Sequence, residues 1–417
     1  MAEQSICILL TMEYPYLKGE TFLENEIEYL SRTFTTVIIF ALSGKGDAIR
    51  PLPSNVVAFP LANITSSFRY MHYAMLGLFK SGIIKRRQIK KRLRPRALFA
   101  SFYARGRVNA THNKIILHLD TVFKEQTPKT ALFYSYWFMD QAYLATLLRN
   151  RYMDDRNTQV ISRAHRYDLY ENRNKANYIP FRRETLSAID AVYPCSQDGT
   201  EYLVSKYPFS KGKIRTSYLG TMDYGVQQEL NRVDDVCHIV TCSNLIPLKR
   251  VPLVAEALVL LKREGNTSIS WTCIGDGPEQ ERIKDIIQKN DLSLQINLLG
   301  RLTNTEVIGF YKTSYIDIFI NVSTSEGLPV SIMEAQSFGI PVIATDVGGT
   351  REIVNDNTGW LIASDVTAQD LAQSIKKAIE RTPEEKTKMR ENARNFWEKS
   401  FNAETNYKEF YRNVSDF

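Results

Sequence analysis

Apolar and polar positions alternate along the chain in two rhythms, short apolar runs of strand length and longer runs with one apolar face. In the C-terminal half, apolar runs recur at His238–Ser243, Ile269–Ile274, Gln295–Leu299, Ile316–Val322 and Ile340–Thr345. The run IDIFINV lacks the strict alternation of a one-sided strand and predicts a central strand buried on both faces. Between the runs, Val251–Arg263 and Glu279–Asn290 carry apolar residues at helical spacing. Strands alternating with helices predict right-handed βαβ units and a parallel sheet covered on both faces. The N-terminal half repeats this less regularly. Ser5–Met12, Thr36–Leu42, Thr130–Tyr136, Gln159–Ala164, Ala191–Ser196 and Ile214–Leu219 read as strands, and Glu24–Thr33, Asp140–Arg151 and Phe181–Ile189 as helices. A basic region over about 68–116 interrupts the rhythm and predicts a helical insertion.

The polar segment Asp223–Asp235 (DYGVQQELNRVDD) separates the two halves and reads as the linker. The expected fold class is therefore α/β, with two doubly wound parallel-sheet domains, 1–222 and 223–395. Their strand ends would face each other across a cleft, where ligands of such sheets bind. A helical tail over 396–417 is expected to cross back to the first domain. A length of 417 residues suits two domains.

Composition narrows the class. With 44% hydrophobic and 24% charged residues the chain is globular and not disordered. The first residues, MAEQSICILLTMEYP, lack a basic n-region and do not read as a signal peptide. No run of 18 uncharged apolar residues occurs, so a cytoplasmic location is expected. Five cysteines (Cys7, Cys195, Cys237, Cys242, Cys273) show no ligand spacing and read as buried reduced thiols, with no zinc site. The net charge of +7 is uneven. No acidic residue lies between Asp47 and Asp120, and Lys80–Arg96 (KSGIIKRRQIKKRLRPR) is densely basic. The stretch is either a solvated helix face or a contact for an anionic membrane surface at the inner face of the plasma membrane. No recognised nucleic-acid motif accompanies it, so no nucleic-acid partner is expected. The oligomeric state is not legible.

The chemistry-bearing residues gather at strand ends. After the strand ending near Val322 comes the turn STSEG, then Leu328-Pro329 opening a helix that Gly339 closes. The segment Leu328, Pro329, Val330 at the positive end of the helix dipole predicts a seat for a diphosphate. Glu326 before the helix and Glu334 more than a turn inside it can bracket a phosphate-linked sugar, each accepting hydrogen bonds from vicinal hydroxyls. Upstream, TCSNLIPLKRV follows the first C-half strand, and a cation there could neutralise a departing diphosphate. Gly275-Asp276-Gly277-Pro278 is a turn read mainly as structural. In the N-terminal half, YPYLKGETFLENE follows the first strand and SRAHRYD the fourth.

Together these segments resemble glycosyltransferase family 4, retaining enzymes of the GT-B fold with two Rossmann-like domains. The family pattern places two glutamates with seven residues between them in an E-G-hydrophobic-P context, and Glu326, Gly327, Leu328, Pro329 and Glu334 match it. The likeness runs on through Pro341–Ala344, Gly348–Glu352 and Gly359–Leu361. It implies that Glu326 contacts the donor sugar and Glu334 the nucleotide ribose. It also implies an Arg and a Lys on the phosphates. Lys249 matches the Lys, Asn244 stands at the Arg position, and Arg250 is the candidate to compensate. Gly300-Arg301 resembles the segment near the base, which is met through backbone or through Arg301. Gly19 lies in the loop that approaches the donor phosphates, where many relatives have two glycines. His165 is placed at the reaction centre near the donor sugar and incoming hydroxyl, with Arg163 and Asp168 as further candidates. Tyr136 and Trp137 either stack on an acceptor sugar or belong to the core.

The resemblance implies retaining transfer from a nucleotide diphosphate sugar, UDP-sugar favoured and GDP-sugar possible, to a glycan or lipid-linked saccharide of the cell envelope. No metal and no other cofactor are expected. Alternatives are a sugar-nucleotide epimerase, a glycosidic phosphorylase, or a non-catalytic component of a polysaccharide assembly complex.

Overall fold

The first sheet is built from β1 (Ser5–Thr11), β2 (Thr36–Ala41), β3 (Val56–Pro60), β4 (Thr130–Ser135), β5 (Thr158–Ala164) and β6 (Ala191–Pro194). The second contains β7 (Cys237–Cys242), β8 (Ile269–Ile274), β9 (Ile296–Gly300), β10 (Ile318–Asn321), β11 (Val342–Thr345) and β12 (Gly359–Ile362). These come from a computed structural model that describes residues 4–62, 69–80, 82–84, 94–125, 128–153, 157–225, 236–266, 268–292 and 296–415. Most of the basic stretch Lys80–Arg96 and of the linker Asp223–Asp235 lies outside the described residues.

Both sheets are parallel, in the orders β3-β2-β1-β4-β5-β6 and β12-β11-β10-β7-β8-β9. Counted from each unit's first strand, both read 3-2-1-4-5-6, the order of a doubly wound Rossmann-like sheet. The order reverses between β1 and β4 in one sheet and between β7 and β10 in the other. Central strands such as β1 and β10 are buried nearly throughout, which is why their sequences are continuous apolar runs. The chain divides into two units, Met1–Leu219 with Tyr407–Phe417, and Gly220–Asn406.

The helices of the first unit are α1 (Phe22–Thr33), α2 (Arg69–Phe79), α3 (Pro95–Glu125), α4 (Asp140–Tyr152), α5 (Arg182–Ala188) and α6 (Gln197–Lys206). Those that follow are α7 (Pro252–Arg263), α8 (Gln280–Lys289), α9 (Asn304–Thr313), α10 (Val330–Ser337), α11 (Ala368–Ile379), α12 (Pro383–Phe401) and α13 (Ala403–Ser415). Thr303, Thr367 and Thr382 cap α9, α11 and α12 through reciprocal boxes with Glu306, Asp370 and Glu385. Each such cap contributes about 1 kcal/mol.

Several expectations are corrected. Ile214–Leu219 is not a strand. It runs beside β6 with Arg215 and Ser217 donating to the Val192 and Pro194 carbonyls, and makes only one isolated bridge. Pro194 has no N–H with which to return a bond, so no ladder forms. The edge strand β3 was missed because Pro51, Pro53 and Pro60 punctuate it, and proline is tolerated at an edge. The insertion is a pair of helices and extends to Glu125, beyond 116. α2 and α3 cross at two glycines. A Cβ on Gly77 would stand 1.7 Å from the Phe102 carbonyl oxygen, and one on Gly106 1.9 Å from that of Tyr73. The tail is two helices broken at the extended Asn402, of which residues 407–415 belong to the first unit. The five cysteines are free thiols, and burial pushes Cys242 and Cys273 up to about 12 and about 11.

Candidate functional site

The second unit gathers charge where its strand order reverses. After β7 the chain reaches a 3-10 turn, Pro247–Lys249, and after β10 it enters the STSEG turn. The Thr324 N–H donates to the Leu248 carbonyl at 2.8 Å and ties the two loops together. Lys249 Nζ then donates to Glu326 Oε1 at 2.6 Å, and Asn321 Nδ2 reaches the same oxygen at 3.3 Å. Glu326 is only 8% exposed, so this pair is sheltered from water on the carboxylate side. The turn is clamped from behind. The Gly349 N–H bonds the Gly327 carbonyl at 2.8 Å, and Gly348, at φ 55°, lies so close that a Cβ would stand 2.2 Å from the Glu326 carbonyl oxygen. Only glycine serves there.

Arg250 has a left-handed backbone (φ 50°), which aims its side chain at the end of β10. Its Nε donates to the Val322 carbonyl at 2.7 Å, while Nη2 is buried without a hydrogen-bond partner. Burial lowers its pKa. Ser323 Oγ, just after β10, is a second buried polar atom left unpartnered. Ser323, Lys249 and Asn321 line one small cavity with Thr241 and Ser243. Thus Lys249, Arg250 and Glu326, singled out by sequence, meet at one place with spare hydrogen-bonding capacity.

The helix opens later than expected. Pro329 is extended at the N-cap of α10, so the first free N–H groups of the helix belong to Val330 and Ser331, and Leu328 and Pro329 lie before it. Leu328 is a buried apolar residue and Pro329 has no N–H to give. Glu334 sits within α10, and its Oε1 accepts from Asn304 Nδ2 at 2.7 Å. Burial pushes its carboxyl up to about 7. Two candidates stand apart. Asn244 is exposed and its carbonyl serves Ile246. Arg301 is exposed and lies 3.8 Å from Asp276. The GDGP turn is structural, since the Asp276 carbonyl accepts the Leu245 N–H at 2.7 Å and fixes the loop that carries Lys249.

The first unit places its candidates after β1, β4 and β5. Between β1 and α1 the Glu20 carboxylate accepts three consecutive backbone N–H groups, from Met12 (2.8 Å), Glu13 (2.7 Å) and Tyr14 (2.7 Å). It also accepts the Trp137 indole N–H from the loop after β4. Gly19 donates its N–H to Glu13 Oε2 at 3.0 Å, so that group is already spent on the protein. The buried Asp168 accepts the backbone N–H of His165 (2.7 Å) and of Phe138 (2.6 Å), fastening the loops after β4 and β5. The His165 ring lies 4.9 Å from Tyr136 and 4.8 Å from Trp137 between ring centroids. Both of its nitrogens are buried and without a hydrogen-bond partner.

Arg163 is a correction. Its side chain turns into the core, bonds Glu26 Oε1 at 3.2 Å and the Tyr134 hydroxyl at 3.0 Å, and stacks 4.1 Å from the Phe410 ring. Arg163 is still inside β5, which ends at Ala164, and its side chain goes to the core, whereas His165 lies beyond the strand end. Tyr136 is fully buried and resolves to the core reading, whereas Trp137 is half-buried and held by Glu20. Sequence reading missed Glu20, Asn304, Asn321 and Ser323. Only Glu20 carried a signal, its place directly after Gly19 in a loop following the first strand.

Residues 226–396 match the family described as glycosyl transferases group 1. An amylovoran biosynthesis glycosyltransferase of Erwinia amylovora is 31% identical over 141 residues, 32% of this chain and 34% of that protein. A putative colanic acid biosynthesis glycosyltransferase of Escherichia coli strain K12 is 30% identical over 144 residues, 33% of this chain and 34% of that protein. The chain thus spans about a third of the length of these curated relatives. The crystal structure of Anabaena HepE in complex with UDP and glucose aligns over 98% of this chain and 99% of that one, with a TM-score of 0.65 and 16% identity. At that identity the likeness is one of fold.

Proposed function

We propose, from the match of residues 226–396 to the glycosyl transferases group 1 family, that the chain transfers a sugar from a nucleotide diphosphate sugar to an acceptor hydroxyl with retention of configuration. The observation that carries this reading is the 2.6 Å contact between Lys249 and Glu326 at the strand-order reversal of the second sheet. An ammonium has three N–H donors, so Lys249 can keep Glu326 and still meet a phosphate oxygen. Arg250 Nη2 and the free N–H groups of Val330 and Ser331 supply further donors for the diphosphate. Glu326 accepts hydrogen bonds from donor-sugar hydroxyls and Glu334 from the ribose.

In the reaction the bond between the anomeric carbon and the phosphate oxygen breaks, and the acceptor oxygen bonds the same carbon on the same face. The acceptor proton passes to the leaving phosphate. Lys249, Arg250 and the α10 start stabilise the charge that develops on the diphosphate. His165 is assigned to the donor sugar and the incoming hydroxyl, because its ring is walled by Tyr136 and Trp137 and its nitrogens are unspent.

UDP is the favoured nucleotide, supported by the UDP-bound Anabaena neighbour. A glycan or lipid-linked saccharide of the cell envelope is the proposed acceptor, supported by the colanic acid relative. Encounter with a lipid-linked acceptor places the chain at an anionic membrane surface. The positive charge at the site is supplied by protein groups, so transfer proceeds without a divalent metal, and activity abolished by EDTA and restored by Mg²⁺ or Mn²⁺ would overturn this. Thermal unfolding against UDP, GDP, ADP and their sugars tests the reading. A ligand of the folded state raises stability by RT ln(1 + [L]/Kd), so UDP should shift the transition most. No shift with any nucleotide would remove the proposal.

A further inference from the structure

The insertion of the first unit exposes an apolar face that the chemistry above does not use. On α2, Met71, Met75 and Phe79 recur every four residues and are 56%, 54% and 74% exposed. The opposite face of the same helix, Ala74 and Gly77, is the buried one. Side chains four apart lie on one helix face, so the three form a single stripe. Ile83 just beyond α2 and Phe99 on α3 are exposed as well, at 39% and 45%.

This stripe is held in place and is not a frayed end. The buried Arg105 of α3 donates from Nε to the Ile84 carbonyl and from Nη2 to that of Lys80, both at 2.8 Å, and from Nη1 to that of Gly77. It thereby satisfies carbonyls at and beyond the C-terminus of α2 that the helix leaves open. Asn109 accepts the Ile84 N–H at 3.0 Å. α3 is in turn fixed to α4 by the Arg107–Asp140 pair.

Charge identifies the occupant. Lys80, Arg94 and Arg96 are exposed at the ends of the two helices, and no acidic residue occurs over positions 48–119. Bulky apolar side chains rimmed by cations, with no acid among them, match the acyl boundary and anionic headgroups of a lipid bilayer. Among the described residues no helix is long and apolar enough to cross a membrane, so such a helix lies in the interface. We propose that the Met71–Met75–Phe79 face of α2 docks the chain on an anionic phospholipid surface. This deepens the membrane-side acceptor reading above and rests on it for its purpose.

Flotation of the full chain with vesicles tests the proposal. It should float with vesicles of phosphatidylglycerol and phosphatidylcholine and remain at the bottom with phosphatidylcholine alone. The double variant Met75→Glu, Phe79→Glu should lose at least tenfold in partition, with its melting temperature and UDP-sugar hydrolysis unchanged. Leu117→Glu, at a 73% exposed apolar position elsewhere on α3, should float as the parent does. The docking face is overturned by absence of flotation, by equal loss in Leu117→Glu, or by a parent chain that self-associates without vesicles through a contact the double variant abolishes. Hydrolysis of UDP-sugar in the same preparations keeps the two readings apart. Turnover without flotation defeats only the docking face, and flotation without turnover defeats only the transferase reading.

Discussion

The strand ends after β1, β4 and β5 and those after β7 and β10 stand at the same topological place in two sheets of one strand order, and they treat charge in opposite ways. In the first unit the chain spends its own charges. Glu20 is saturated by three backbone N–H groups and an indole, Asp168 by two backbone N–H groups, and Arg163 is sealed with Glu26 in the core. His165 is the unspent polar side chain beyond the strand ends, while Glu26 Oε2, Arg163 Nη2 and the Tyr136 hydroxyl, also without a hydrogen-bond partner, are sealed in the core. In the second unit the charges keep capacity in reserve, in the Lys249–Glu326 pair, in Arg250 Nη2 and in a Glu334 carboxyl whose burial Asn304 only partly offsets. A saturated cluster makes rigid walls, and an unsaturated one makes a seat for an anion and for hydroxyls. One architecture thus yields a scaffold in one place and, on the proposed reading, a ligand-handling site in another.

The comparison breaks most readily at the two ion pairs. Arg163 and Glu26 both have fully buried side chains, while Lys249 is 21% exposed. Arg163→Met leaves Glu26 buried without its cation, which costs about 3–5 kcal/mol. At roughly 2–4 °C per kcal/mol for a unit of this size, calorimetry should show a large fall in melting temperature. A fall of a degree or less would mean that the core tolerates Glu26 alone and that the first unit is not a locked scaffold.

Glu326→Gln carries the same test into the second unit with the opposite signature. The amide keeps the shape but not the charge. Transfer should fall by about 10²–10³-fold, the usual cost of one preorganised polar group at a reacting centre. Nucleotide affinity and melting temperature should stay close to those of the parent. Unchanged turnover would take Glu326 out of the site, and a large loss of stability would make its pair with Lys249 structural like that of Arg163.

Glu20→Gln probes the saturated cluster at lower cost. A carboxamide offers one acceptor oxygen where the carboxylate offers two, so at least one of the N–H groups of Met12, Glu13, Tyr14 or Trp137 loses its partner. A buried unsatisfied donor costs about 1–3 kcal/mol. Urea unfolding should report that loss, and Trp137 fluorescence should change with it. If stability holds, the N–H cradle is filled by water as well as by Glu20.

How much of this was legible follows from where physics leaves its mark. Continuous apolar runs announced β1, β7, β8 and β10, because a strand buried on both faces has no other composition. Glu326 and Lys249 were readable since each stands at a strand end in a turn rich in special residues. Arg163 misled, because its neighbour His165 is functional-looking and only the end of β5 at Ala164 tells them apart. The start of α10 was misplaced by two residues, since Pro329 suits both the N-cap and the first turn. Asn304 left no mark at all. It reaches Glu334 across 30 positions of sequence, and such a contact exists only once the sheet has formed.

The Glu334–Asn304 contact yields the smallest predicted effect and the one that bears on how the second unit holds reserve. Burial raises the carboxyl from its ordinary value to about 7, and the single bond from Asn304 only partly offsets it. On the proposed role of Glu334 the ribose hydroxyls need an ionised acceptor, so nucleotide affinity should weaken as pH falls through that value. Between pH 8 and pH 6 the ionised fraction drops by about tenfold, and calorimetric affinity should follow it. Stability runs the other way. The folded chain holds a proton that the unfolded chain releases near 4.5, so this group's stabilising share is complete at low pH and is lost as pH rises toward 7. Glu334→Gln should flatten both profiles while leaving the titration of the nucleotide phosphate in place as an internal reference. Asn304→Ala should move the affinity midpoint upward, because it removes the hydrogen bond that favours the carboxylate. An affinity profile identical in parent and Glu334→Gln would mean that Glu334 does not hold the ribose, and the reserve of the second unit would then reside in Lys249, Arg250 and Glu326 alone.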